Sequence, residues 1–146
     1  MKKLLLIIAV LVVLFACNKD KFQTKPQLTI KSYNSKLIGQ GSTLEVRLTY
    51  TDKEGDIGQG DFYGVRMRLN SKPLSPVDND KADTLRYKIP EMTSTADKGE
   101  LVMTLGYDFL KESNTENDTL VFKIAIKDLA GHASDTLTTD KLVILK

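Results

Sequence analysis

From Leu28 onward the chain alternates apolar and polar residues with a period of two, and almost nothing in it repeats every 3.6 residues. Leu44, Val46, Leu48 and Tyr50 alternate with Glu45, Arg47 and Thr49. Tyr63, Val65, Met67 and Leu69 alternate with Gly64, Arg66 and Arg68. The same rhythm runs through Leu85, Tyr87 and Ile89, through Leu101 to Tyr107, through Leu120 to Ile126, and more weakly through Leu142 and Ile144. Successive side chains of a strand point to opposite faces, so each segment has one face for a core and one for water. The pattern predicts seven strands, at 27–33, 43–51, 61–70, 83–89, 99–107, 119–127 and 136–145. Clusters of Gly, Pro, Asn and Asp punctuate them, as strand connections require.

Seven short strands of this kind close into two packed antiparallel sheets. The expected fold is all-β, an Ig-like sandwich in the broad sense over residues 27–146. The cysteine and tryptophan marks of antibody domains are missing, because the chain has one Cys and no Trp. Two stretches carry a closer resemblance. Asp128-Leu129-Ala130-Gly131-His132-Ala133-Ser134, between an alternating strand and a last strand, resembles the D-x-A-G-N-x-S turn ending many bacterial Ig-like domains, with His132 in the Asn place. Thr49 to Asp61, TYTDKEGDIGQGD, resembles a loop of small lipoproteins of the Bacteroidota. The resemblance implies a fold and a habitat and no activity.

The N-terminus fits that habitat. Lys2 and Lys3 precede an unbroken apolar run, Leu4 to Ala16, that is shorter than the roughly 20 residues of a spanning helix and suits a signal peptide. Leu14-Phe15-Ala16-Cys17 resembles a bacterial lipobox. That implies cleavage after residue 16 and a lipid on Cys17, with residues 17–26 as a tether. Cys17 is the only cysteine, so no intrachain disulfide can form. Several acyl chains there would anchor the protein stably. Lys19-Asp20 is similar to the short charged signals that carry some such lipoproteins to the cell surface. The expected location is the outer membrane, facing the periplasm or the surface. Without Lys2 and Lys3 the basic residues number 21 − 2 = 19 against 19 acidic ones, a formal net charge of zero. Such a balance offers no electrostatic case for nucleic acid.

The chemistry-bearing stretch is Thr51 to Asp61, with four carboxylates among three glycines. Oxygen ligands on a curled backbone are what Ca²⁺ takes. Asp52, Glu54 and Asp56 would supply three ligands, and Asp128 a fourth if the loops of this end of a sandwich gather. The spacing is not that of an EF-hand: the twelfth residue from Asp52 is Tyr63, where a bidentate Glu belongs. The sequence leans to a solvated turn, with Ca²⁺ as the alternative. Zinc is disfavoured by a single His and no free Cys.

No nucleophile elbow, phosphate loop or HExxH motif occurs, and Asp128, His132 and Ser134 are too close in one turn to work as a triad. The chain is therefore read as a non-enzyme. The expected role is a lipid-anchored binding or scaffolding module with a protein or glycan partner. A Ca²⁺-stabilised adhesion or sugar-binding module is the alternative, and a small envelope hydrolase is the opposing class. For sugar binding, Phe62 is the ring expected to be exposed, with Tyr50, Tyr63, Tyr87 and Tyr107 expected in the core. Asp-Thr-Leu recurs at residues 83, 118 and 135. It suits a turn entering a strand, and it also resembles an O-glycosylation acceptor of this group, at Thr84, Thr119 and Thr136.

Overall fold

A computed structural model describes residues 24–76, 78, 83–92 and 97–146. Cys17 and the segments expected to be a signal peptide and most of a tether lie outside the described residues. The chain is a two-sheet β-sandwich with strands β1 (Gln27–Tyr33), β2 (Leu37–Ile38), β3 (Thr43–Thr51), β4 (Asp61–Arg68), β5 (Thr84–Lys88), β6 (Lys98–Gly106), β7 (Asp118–Lys127), β8 (Leu137–Thr138) and β9 (Leu142–Ile144). A single turn of helix, α1 (Tyr107–Leu110), follows β6. Among the described residues, no helix is long and apolar enough to cross a membrane.

One sheet has the order β1-β3-β6. The other runs β2-β9-β7-β4-β5, with β8 beside β7. The expected seventh strand is split into β8 and β9, and β2 is an extra strand running parallel to β9. The sandwich is therefore not wholly antiparallel. The fourth expected strand, 83–89, is β5, and it pairs with β4. It forms one edge of the six-stranded sheet.

The alternation seen in sequence builds the core. Leu44, Val46, Leu48 and Tyr50 of β3 and Met103 and Leu105 of β6 face Leu120, Phe122, Ile124 and Ile126 of β7, Leu142 and Ile144 of β9, and Ile38 of β2. Each large side chain contributes about 1.5–3 kcal/mol on leaving water.

Strand β4 departs from its expected face. Phe62, Gly64 and Arg66 point inward, while Val65, Met67 and Leu69 are exposed. Arg66 can lie inside because its guanidinium meets buried Glu112 at 2.5 Å and donates to the Phe109 carbonyl at 2.9 Å. It also reaches the exposed Asp83 at 3.3 Å. Without such partners a buried charge would be prohibitive. The rings move accordingly. Phe62 is buried, Tyr63 is half-buried, and Tyr87 is 55% exposed on edge strand β5, while Tyr50 and Tyr107 are in the core as expected.

The end opposite the acidic loop is tied by Asp118. Its Oδ1 accepts from Arg68 Nε at 2.7 Å, and its Oδ2 accepts from the backbone N–H groups of Glu112 and Ser113 at 2.9 and 2.8 Å.

Candidate functional site

The apex is assembled from three connections. Residues 52–60 join β3 to β4, residues 89–97 lead from β5 to β6, and residues 128–136 join β7 to β8. β1 starts at this end too, since Gln27 pairs with Thr51. Backbone bonds knit the connections together. Asp52 N–H donates to the Asp97 carbonyl at 2.7 Å, Leu129 N–H to the Asp56 carbonyl at 3.1 Å, and Ile89 N–H to the Gly60 carbonyl at 2.9 Å.

The loop's apolar and glycine residues give it this path. Ile57 is buried and plugs the loop into the core. Gly55 has a φ of 67°, where a side chain is strained. Gly60 lies so close to the Lys127 carbonyl that no Cβ fits.

Asp52, Asp56 and Asp128 converge, with one carboxylate oxygen from each within 4.8 Å of the other two. Asp52 and Asp128 are only 2% and 4% exposed. One oxygen of each is anchored by a backbone N–H. Asp52 Oδ2 accepts from Asp56 at 3.0 Å, Asp56 Oδ2 from Ala130 at 3.0 Å, and Asp128 Oδ1 from His132 at 2.7 Å. The other oxygen of each, Asp52 Oδ1, Asp56 Oδ1 and Asp128 Oδ2, is buried without a hydrogen-bond partner. His132 Nδ1 comes within 3.2 Å of Asp128 Oδ2 but not in hydrogen-bond geometry. Burial raises the Asp52 carboxyl above its ordinary pKa, and the adjacent Asp56 side chain adds to that rise while its backbone N–H opposes it.

Glu54, one of the four ligands expected from sequence, stands apart from this trio. It is exposed and lies 3.5 Å from His132 Nδ1, forming with His132 and Asp128 a second, more exposed grouping. The three threonines sit at strand ends as the repeat suggested. Thr84 and Thr136 are exposed and Thr119 is half-buried.

A second feature has no counterpart in the sequence reading. Between edge strands β5 and β6 the two sheets part into an apolar groove of about 540 Å³, lined chiefly by Phe62, Tyr87, Ile89, Met92, Leu101 and Met103. Its charged lining residues are Lys88 and Glu100. β5 and β6 end their sheets, so each turns one backbone edge away from its neighbours. The groove adjoins the apex through Met92, whose sulfur accepts from the Tyr50 hydroxyl at 3.0 Å and which packs against Gly58. The signal for it was the edge position of β5, and the mistaken placement of Tyr87 in the core hid that.

In comparisons with known proteins, the sequence matches no family model and no curated protein.

Proposed function

We propose that this protein is a non-catalytic binding module of the cell envelope, held by a lipid on Cys17, whose partner is an extended protein segment seated along the β5–β6 groove. The observation that carries this reading is the groove between two strand edges. Exposed edges are templates for an added strand, in which main-chain bonds give affinity and alternate side chains fill a pocket. The groove offers such a pocket. Phe62, Ile89, Leu101 and Met103 would take apolar side chains of the incoming strand, and its backbone would pair with β5 or β6. The single histidine lies at the apex, against Asp128 and Glu54, and not beside the groove. A glycan partner would rest on Tyr87, the one well-exposed ring of the groove.

A photo-crosslinking residue at position 87, in the lipoprotein expressed in its own membranes, tests this. A discrete protein adduct, lost on adding Leu101→Arg, is the expected result. Adducts to glycan alone, or none, would refute the protein-segment reading.

A further inference from the structure

We infer that Asp52, Asp56 and Asp128 form a site for one hard divalent cation, Ca²⁺ by its chemistry, that joins the two sheets at the apex. This goes beyond the binding role and does not depend on it. Three features carry it.

First, the three carboxylates converge, and each keeps an unmet oxygen. One oxygen of each accepts a backbone N–H, and the other is buried without a hydrogen-bond partner. Hydrogen-bonded carboxylates presenting a free oxygen are how first-shell ligands are held in place. Ligands at about 2.3–2.6 Å from a shared ion lie within roughly 5 Å of one another. The trio meets that limit, with one oxygen from each carboxylate within 4.8 Å of the other two.

Second, the same molecule shows what a buried carboxylate looks like when the protein alone satisfies it. Asp118 is fully buried, and both of its oxygens accept, one from Arg68 and the other from two backbone N–H groups. Nothing comparable meets Asp52 Oδ1 or Asp56 Oδ1. An unmet buried oxygen is costly, and more so when charged. Three of them in one cluster of carboxylates call for a positive charge or a shared proton.

Third, the placement is structural. Asp52 follows β3 of one sheet, Asp128 follows β7 of the other, and Asp56 sits at the turn between sheets. A cation held by all three would cross-link the sandwich.

The donor set selects the ion. All-oxygen ligands favour Ca²⁺ or Mg²⁺ over Zn²⁺. An irregular site on three loops suits the flexible coordination of Ca²⁺, whereas Mg²⁺ demands near-ideal octahedral geometry and keeps its waters. Relative to the set expected from sequence, Glu54 leaves the site and the other three remain. The rival is a proton shared by Asp52 and Asp56, for which the raised Asp52 pKa would be the sign.

The test uses the full lipoprotein in detergent, stripped with EDTA and melted at pH 7 with CaCl₂, MgCl₂ or ZnCl₂. Free Ca²⁺ at about 100 times its Kd should raise the Tm by roughly 10 °C. Asp52→Asn and Asp56→Asn should each abolish that rise while melting no lower than the stripped wild type, because each removes a repelled charge. His132→Ala should keep it. No rise with Ca²⁺ together with no bound Ca²⁺ by elemental analysis overturns the site in favour of the shared proton. So does an undiminished rise in both Asp variants. A larger rise with Zn²⁺ that disappears in His132→Ala overturns it in favour of the Glu54–Asp128–His132 grouping.

Discussion

Glu112→Gln is the substitution whose cost the structure defines best. The Arg66 side chain is fully buried, and Glu112, 3% exposed, is the buried carboxylate that meets it at 2.5 Å. Gln keeps the shape of Glu and removes its charge. Of the partners described for the guanidinium, the Phe109 carbonyl and Asp83 remain, and the Asp83 side chain is 61% exposed, so water largely screens its charge. Breaking a buried pair by removing one partner costs about 3–5 kcal/mol. Gln retains a hydrogen bond and Asp83 a partial charge, so we expect the lower end, about 3 kcal/mol. For a domain of this size roughly 4 °C of Tm goes with each kcal/mol, which gives a fall of about 12 °C. The assay is thermal unfolding followed by circular dichroism at pH 7, with urea melts to check that the m-value is unchanged. The double variant Arg66→Met/Glu112→Gln removes the stranded cation, and it should recover most of the loss. A fall of less than about 2 °C in Glu112→Gln, or a double variant worse than the sum of the single ones, would refute the reasoning.

Three more outcomes are expected. Gly60→Ala should lower stability by about 1–3 kcal/mol, because its Cβ would fall on backbone that cannot move aside. Gly106→Ala, which meets nothing within 4 Å, is the control, and equal melting of the two would contradict the account. Asp61 is held below its ordinary pKa of 3.8, first by the hydrogen bond from Lys88, 3.1 Å away. Its stabilisation is present above 3.8 and fades as pH falls through the lower folded value. The Tm gap between wild type and Asp61→Asn should therefore hold steady above about pH 5 and close below 3.8, and a gap that widens in acid would be the wrong sign. Cys17→Ser should move the protein from the membrane to the soluble fraction, and retention there would remove the lipid anchor from the proposed function.

How much of this was legible in the sequence depended on how far apart the deciding residues lie. β3 and β7 read correctly because each carries four large apolar residues on one face and mostly polar residues on the other. In β4 both alternating sets were open, and hydrophobicity favoured Tyr63, Val65, Met67 and Leu69. The deciding partner of Arg66 is Glu112, which follows β6 and α1, and no local pattern reveals it. That one inversion also misplaced Phe62. At the apex, the topology of a sandwich was enough to bring Asp52, Asp56 and Asp128 together. The separate position of Glu54 was not legible, because it rests on the turn at Gly55 and on contact with His132. The pairing of β5 was not legible, because nothing in a five-residue strand says which sheet it joins.

The two edges of the smaller sheet are unequal. The pairing of β1 with β3 shifts register between Ile30 and Ser32, and such a bulge spoils an edge as a template for further strands. β6 pairs with β3 through nine residues in unbroken register and turns its other side outward. This sheet is thus guarded against edge-to-edge aggregation on one flank only. Concentrated, partner-free protein should self-associate through β6, and a proline at Val102, facing that edge, would serve as a gatekeeper for handling it in solution.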